Sequence, residues 1–273
     1  MPKAGKVSKA PDGFYTAGEA IKRLGMPKTT FHHYVRIGKI KKKTPYGRSE
    51  GYYEKTYIDK MAEASQLYAI QYADDPATFS VATSEDAQGV YDVMVSLWGT
   101  LNVTPVQTRL EWYKINPEID YVVKQDNIVV GYLTIKPYKH EVMQKLISGE
   151  ILAKEVKPDD LLPFTPGVPL ECLVATAVRA GVYEPKKYGM RLVAGAIEVF
   201  KGFAQRGVVI AKLYANSETP DGIRLCKGLG FEDISTEPNK TPRRFMLDLK
   251  TSKTPFAAEY KQILKSSGLL LKW

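Results

Sequence analysis

The chain has 273 residues, of which 44% are hydrophobic, so it can bury a core and form one large domain or two. The sequence has no run of about eighteen apolar residues, which excludes a membrane-spanning helix, and its basic start lacks the apolar segment of a signal peptide. Cys172 and Cys226 are too few and too far apart for a disulfide framework or a zinc site. We therefore expect a cytoplasmic protein with no membrane contact and no metal.

The net charge of +9 is concentrated in one part of the chain. Residues 1–70 carry 14 Lys and Arg against 6 Asp and Glu, whereas the remaining residues carry 25 against 24. A solvated basic tail would explain this surplus only if the segment lacked helical patterning. A patterned basic segment instead predicts a nucleic-acid-binding module joined to an ordinary globular domain.

Residues 15–64 have the pattern of a helix-turn-helix. Thr16 and Glu19 are spaced for a capping box at the start of a first helix, which Gly25 ends. A second helix runs on to Gly38, and a turn-rich hairpin and a further helix follow it. The second helix is the one expected to enter a major groove of double-stranded DNA. Its outward residues, which we expect to contact DNA, are Lys28, Thr29, His32, His33 and Arg36.

The stretch YTAGEAIKRLGMPKTTFHHYVRIGKI resembles the winged helix-turn-helix of MerR-type regulators and excisionase-like proteins. The resemblance rests on a G-x-x-x-x-T-x-x-x-Y-x-R-x-G core that extends from Gly25 to Gly38. It implies a wing at residues 41–54, with further DNA contacts from Lys41, Arg48, Tyr52 and Tyr53. The sequence lacks the heptads of the MerR coiled coil. A homodimer is still expected, because one small module binds DNA weakly.

The remainder of the chain alternates strands and helices. A linker is expected at residues 71–78, a second domain at 79–250 with an insertion at 140–169, and a helical tail at 251–273. Within the domain the order is β-α-α-β-β-β-α-β-α-β-β, with one hairpin turning at Asp126-Asn127. We therefore expect an α/β (α+β) fold, in which a mixed sheet flanked by helices follows a small helical winged helix-turn-helix domain.

This order resembles the GNAT N-acetyltransferase superfamily, and so do the segments SEDA, VVGYLTI and LCKGLGF. The resemblance implies acetyl-CoA or another acyl-CoA as co-substrate, bound where the fourth and fifth strands of the domain separate. It also implies an amine as acceptor, which attacks the thioester directly. A backbone N–H on the fourth strand, near Val174, would stabilise the oxyanion.

The run YEPKKYGMRLVAGAIEVF predicts a strand end, a tight basic loop and an amphipathic helix. The resemblance places the CoA pyrophosphate on this loop, where the family has Q/R-x-x-G-x-G/A. Here neither register reproduces that pattern, so basic side chains would replace close backbone approach. Ordinary solvated residues at a helix start are the alternative. The candidate cofactor contacts are Val174, Lys186, Lys187, Tyr188, Gly189, Met190, Arg191 and Asn216.

Three residues are candidate catalytic groups. The resemblance makes Glu171 a general base, and it puts Cys226 where many members have a tyrosine that protonates the leaving thiolate. Cys226 is otherwise a small core residue, and Tyr214 is a substitute proton donor. Covalent catalysis by Cys172 is excluded, because the single histidine of this part of the chain, His140, does not accompany it.

Two functions remain open from the sequence. In the first, the protein is an N-acyltransferase with its own DNA-binding module. In the second, it is a transcriptional regulator whose second domain senses acyl-CoA or another metabolite without turnover.

Overall fold

The computed structural model describes residues 10–46, 50–71, 77–237 and 241–268, with only the backbone described at 66–71. The chain divides into two compact units, an N-terminal unit at residues 1–72 and a C-terminal unit at residues 73–273. No helix in the described part of the chain is long and apolar enough to cross a membrane. The described residues also contain no group of three or more His, Cys, Asp or Glu side chains that could hold a metal ion.

The described part of the N-terminal unit contains three helices and one small antiparallel sheet. Their bounds are β1 Phe14–Tyr15, α1 Ala17–Leu24, α2 Lys28–Arg36, β2 Tyr53–Glu54 and α3 Lys55–Gln71. The capping box at the start of α1 is confirmed, since the Thr16 N–H donates to Glu19 Oε2 at 2.8 Å and the Glu19 N–H donates to Thr16 Oγ1 at 3.3 Å. Gly25 ends α1 with φ at 63°, as predicted.

The core of this unit lies between its three described helices and β2. Phe31 is fully buried and meets the Tyr53 ring edge-on, with 4.9 Å between the ring centroids. The prediction that Tyr53 lies near DNA is therefore wrong, because Tyr53 is only 3% exposed and neighbouring strand residues face opposite ways. Arg23 joins α1 to α3 through an ion pair with Asp59, with 2.5 Å between Nε and Oδ1.

The C-terminal unit is built on one seven-stranded mixed sheet. Its strands are β3 Thr78–Val81, β4 Asp120–Gln125, β5 Ile128–Pro137, β6 Pro169–Val178, β7 Val209–Ser217, β8 Glu232–Asp233 and β9 Arg243–Asp248. The spatial order is β3-β4-β5-β6-β7-β9-β8, and β6 and β7 form a parallel pair whereas their other neighbours are antiparallel. The predicted hairpin is confirmed, with φ of 52° at Asp126 and 64° at Asn127. The predicted fold class is likewise confirmed.

Helices cover both faces of this sheet. They are α4 Ala87–Trp98, α5 Val106–Ile115, α6 His140–Ser148, α7 Pro185–Gln205, α8 Pro220–Gly228 and α9 Pro255–Ser266. Because side chains of a strand alternate between faces, successive residues of β4 enter different cores. Val122 packs with α4, α5 and α6, whereas Val123 packs with α7 and α9. We call these the α5 face and the α7 face.

The predicted insertion and the predicted helical tail both contribute side chains to these cores. In the insertion at 140–169, Met143 and Leu161 are buried on the α5 face, and the Leu162 N–H donates to Pro137 O at 2.9 Å. In the predicted tail, Tyr260 is buried on the α7 face. Its hydroxyl donates to Val208 O at 2.6 Å and accepts from the Ile210 N–H at 2.9 Å.

Candidate functional site

The central strands β6 and β7 separate part-way along their length. Their parallel pairing runs from Pro169–Val209 to Leu173–Tyr214, and an extra residue of β7 shifts the register after Leu170. Beyond Leu173, the described residues of β6 pair only with β5, as far as Val178. Beyond Tyr214, those of β7 pair only with β9, as far as Ser217. A wedge-shaped opening therefore lies between the carboxyl ends of the two strands, next to the bulge that increases their local twist.

Alternate backbone groups of β6 are directed into this opening. The Tyr138 N–H donates to Glu171 O at 3.3 Å, and the Arg179 N–H donates to Val130 O at 2.8 Å, so odd-numbered residues of β6 bond to β5. In an antiparallel ladder the even-numbered residues then point their N–H and C=O groups to the other side. Val174 and Thr176 follow the last paired residue, and their N–H groups face the opening.

The predicted basic loop is a helix. Helix α7 begins at Pro185, so Lys186, Lys187, Tyr188, Gly189, Met190 and Arg191 all lie in its first two turns. The prediction was wrong because Pro185 suits the first position of a helix, and Glu184 makes the turn into α7 with a left-handed φ of 55°. The connection between β6 and α7 is instead residues 179–184.

The start of α7 has the donors that an anion requires. Within the described residues no side chain caps this helix. Pro185 has no N–H and the Lys187 N–H donates to Glu184 O at 2.9 Å, so the Lys186 N–H is the first donor that a ligand could use. The Nε atom of Arg191 is buried, and it has no hydrogen-bond partner in the described part of the chain. Lys186 is exposed, whereas the Tyr188 side chain is buried in the α7-face core and cannot reach a ligand. Asn216 is exposed on β7, beyond the last residue paired with β6.

Three polar side chains meet on the α5 face just before the opening. Glu171 Oε2 lies 3.1 Å from His140 Nδ1, and Glu171 Oε1 lies 3.5 Å from Lys212 Nζ. The Tyr214 side chain is buried on the same face, and its burial, with the charge of Glu171, raises the pKa of its hydroxyl. Sequence reasoning missed His140 as a partner of Glu171, because only the folding of the insertion brings α6 against β6.

The two cysteines lie on the α7 face. Cys226 is half-buried on α8 against the core, and burial raises the pKa of its thiol to about 11, so it is protonated at neutral pH. Cys172 is fully buried, and burial, with a smaller effect of the Glu171 charge, raises its pKa as well. His140 contacts Glu171 on the other face, which agrees with the exclusion of a Cys172 nucleophile.

A buried charged cluster, formed by Arg109, Asp120, Lys136 and Tyr113, lies on the α5 face and was not predicted. Arg109 is paired with Asp120, whose Oδ2 also accepts from the Tyr113 hydroxyl at 2.9 Å. Lys136 Nζ lies 4.0 Å from the centre of the Trp112 ring. Burial, followed by the charge of Arg109, lowers the pKa of Lys136 to about 7.

The surroundings of Asp120 lower the pKa of its carboxyl, although the group is buried. Burial alone would raise the pKa of this carboxyl, but the charges of Arg109 and Lys136 outweigh burial and lower it. Asp120 is therefore ionised in the folded state and compensates two buried cations. The sequence signal was a lysine at an inward position of the apolar strand YLTIKPY.

The residues predicted to contact DNA share the outer surface of the N-terminal unit. Lys28, Thr29, His32, His33 and Arg36 are all exposed on α2. Lys41 is exposed in the wing, where the half-buried Tyr52 exchanges backbone hydrogen bonds with Lys43 at 2.8 and 2.9 Å. Arg48 lies outside the described residues. The adjacent His32 and His33 are not part of a metal-binding group among the described side chains.

Comparison with known proteins gives similar structures only. No family model and no curated protein matches the chain. An N-acetyltransferase from Staphylococcus aureus Mu50 is 15% identical, with 64% of this chain and 99% of that chain covered and a TM-score of 0.42. The yncA protein of Salmonella typhimurium, solved with its cofactor acetyl-CoA, is 15% identical, with coverages of 66% and 98% and a TM-score of 0.42. The loading GNATL domain of CurA from Lyngbya majuscula is 12% identical, with coverages of 65% and 100% and a TM-score of 0.46.

Identities and TM-scores at this level carry no conclusion about activity.

Proposed function

We propose that the C-terminal unit is an acyl-CoA-dependent N-acyltransferase. The observation that carries this proposal is the opening between β6 and β7, with the Val174 and Thr176 N–H groups directed into it. Donors fixed in this way stabilise an acyl oxygen as it gains negative charge. Acyl-CoA, when bound, supplies an activated thioester, and the residues at hand fit its phosphates. They are the uncapped start of α7, Lys186, and Arg191 with its unpartnered Nε.

The protein's own groups supply the proton transfers in this proposal. Proton uptake from the amine takes place on the α5 face, where Glu171 and His140 lie just before the opening. The leaving sulfur receives a proton from Cys226, whose thiol is protonated at neutral pH, or from Tyr214. Asn216 borders the opening on β7 and can bind the pantetheine arm. A proton acceptor beside the opening favours turnover over a purely sensory role.

We expect acetyl-CoA binding to depend on Arg191. The Arg191→Gln variant of the full chain should bind acetyl-CoA about 10- to 100-fold more weakly, because a hydrogen bond to a charged group contributes about 1.5–3 kcal/mol. Calorimetric titration measures this. Arg206→Gln, which changes an exposed arginine just after α7, is the matched control and should bind like the wild type.

Absence of binding heat with the wild-type protein at millimolar acetyl-CoA would contradict the proposal. A second assay, thiol release from acetyl-CoA in the presence of primary amines, distinguishes the two functions that the sequence left open. Binding without thiol release would favour the sensor.

We also propose that the N-terminal unit binds double-stranded DNA. The supporting observation is that α2 exposes two cations and three further hydrogen-bonding side chains on a unit with a charge surplus. Arg36 and His33 are neighbours, with 3.2 Å between Nη2 and Nδ1, so they can contact one phosphate or one base edge together.

We expect the double variant Lys28→Gln/Arg36→Gln to lose affinity for random-sequence duplex DNA. Each cation that contacts a phosphate contributes about 0.9 to the slope of log affinity against log salt, so the slope should fall by about 2. Fluorescence anisotropy at several salt concentrations measures this. Lys22→Gln/Lys60→Gln removes two exposed cations from α1 and α3 and should leave the slope closer to the wild-type value. If both double variants gave the same slope of log affinity against log salt, α2 would not be the helix that contacts the DNA phosphates.

A further inference from the structure

We infer that His140 is the proton acceptor of the acyl-transfer site and that Glu171 is the carboxylate that positions it. The inference rests on the proposed acyltransferase function and revises the role that the sequence suggested for Glu171. Each oxygen of the Glu171 carboxylate has a nitrogen neighbour. Oε2 faces His140 Nδ1 at 3.1 Å, and Oε1 faces Lys212 Nζ at 3.5 Å. Oε2 is thus within hydrogen-bond distance of the ring nitrogen and Oε1 forms an ion pair with Lys212, so both oxygens already face a nitrogen group.

The chemistry of the pair fixes the tautomer of the ring. An ionised carboxylate can only accept hydrogen bonds, so Nδ1 of His140 must carry the proton. In the neutral imidazole the lone pair is then on Nε2. The His140 side chain is 67% exposed whereas that of Glu171 is 17% exposed, so the lone pair is open to water and the carboxylate is largely covered.

The backbone before His140 holds the ring in place. His140 is the first residue of α6, and Lys139 precedes it as the N-cap. The Lys139 N–H donates to Asp160 O at 3.1 Å, and Lys139 Nζ lies 3.6 Å from Asp160 Oδ1. The charged and titratable groups around the ring are therefore Glu171, Lys212, Lys139, Asp160 and, beyond Glu171, Tyr214.

The pair is placed next to the opening. Glu171 is two residues before Leu173, the last residue of β6 that pairs with β7. At about 3.3 Å per residue, this places Glu171 about 7 Å along the strand from that point. A proton from an amine in the opening can therefore reach Nε2 through bridging water.

In the proposed transfer the His140 ring accepts one proton from the amine. A protonated amine loses one proton through water to Nε2 of His140, which passes it to solvent. The free nitrogen lone pair forms a C–N bond with the acyl carbon, and the oxygen gains negative charge beside the Val174 N–H. The C–S bond then breaks, Cys226 or Tyr214 gives a proton to the sulfur, which leaves as a thiol, and the second proton of the nitrogen replaces the proton that this donor gave. One amide, one thiol and one released proton result.

The first test needs no turnover. Nitrogen-15 NMR of histidine-labelled full chain reports the tautomer of His140, and a His140→Gln variant assigns its signals. We expect the Nδ1–H tautomer in the wild type and a shift towards Nε2–H in Glu171→Gln. A wild-type ring with its proton on Nε2 overturns the proton-accepting role alone.

The second test measures thiol release from acetyl-CoA with primary amines across pH. General-base catalysis contributes about 10²- to 10⁴-fold, so His140→Gln should lower kcat by that factor without changing acetyl-CoA affinity. It should also change the dependence of the rate on pH. Added imidazole should restore part of the rate of His140→Ala. Lys145→Gln, an exposed change on the same helix, is the control.

An unchanged kcat and pH profile in His140→Gln would overturn the inference and leave the acyltransferase standing. Failure of the wild type to release thiol with any amine, although acetyl-CoA binds, would overturn both.

Discussion

Replacement of Asp120 with asparagine is expected to lower the free energy of unfolding of the C-terminal unit by about 3–5 kcal/mol. Asp120 is fully buried and pairs with Arg109, which is itself only 1% exposed. The amide keeps the shape of the carboxylate but removes its charge. Arg109 then remains buried without compensation, Lys136 loses the negative charge that raises its pKa, and the Tyr113 hydroxyl loses its charged acceptor.

Urea unfolding of the full chain, followed by tryptophan fluorescence, measures this loss. Trp98, Trp112 and Trp273 all belong to the C-terminal unit, so the signal reports that unit. Asp159→Asn is the matched control, because Asp159 is exposed, and it should change stability by no more than about 0.5 kcal/mol. A loss below about 1 kcal/mol in Asp120→Asn would mean that Asp120 does not compensate the two cations.

Replacement of Lys136 with methionine is expected to change how stability depends on pH. Burial lowers the pKa of folded Lys136 to about 7, whereas an unfolded lysine titrates at about 10.4. Between these values the unfolded chain binds a proton that the folded chain does not. Stability of the wild type therefore rises with pH in this range, by at most about 1.4 kcal/mol per pH unit from this group. Methionine fills a similar volume and has no charge to bury.

The measurable quantity is the difference in unfolding free energy between Lys136→Met and the wild type. We expect this difference to shrink by about 2 kcal/mol from pH 7 to pH 9, because the free-energy cost of removing the proton from Lys136 on folding falls as the pH rises. Groups that titrate in both proteins, including the cysteines, cancel in the difference. Lys145→Gln should give a curve parallel to the wild type. Parallel curves for Lys136→Met would show that Lys136 titrates normally in the folded state.

The elements that local chemistry determines were predicted well. The Thr16 capping box and the turn at Asp126-Asn127 each involve residues within a few positions of one another. The strands followed from alternation and apolar runs, and the family resemblance implied that the fourth and fifth strands of the domain separate. The start of α7 was misjudged because Gly189 suggested a loop where Pro185 begins a helix.

The parts of the site that were missed depend on contacts between distant segments. His140 and Glu171 are separated by 31 residues, and Arg109 and Asp120 by 11. No local pattern shows that a lysine in an apolar strand will lie under Trp112 beside a second cation. The sequence also does not show which of the neighbouring Tyr52 and Tyr53 rings is buried. The pairing of β2 with β1 decides that Tyr53 enters the core.

The hydrogen bonds of Tyr260 have a consequence for the order in which the chain is made. The core of the N-terminal unit uses residues from Ala20 to Ala62, so it can close early during synthesis on the ribosome. The core of the α7 face includes Tyr260 and Leu264 of α9, and the Tyr260 hydroxyl donates to the backbone just before β7. The two units therefore mature at different times, and the nascent C-terminal unit exposes apolar surface until α9 leaves the exit tunnel. During that interval chaperones have their main opportunity to bind it.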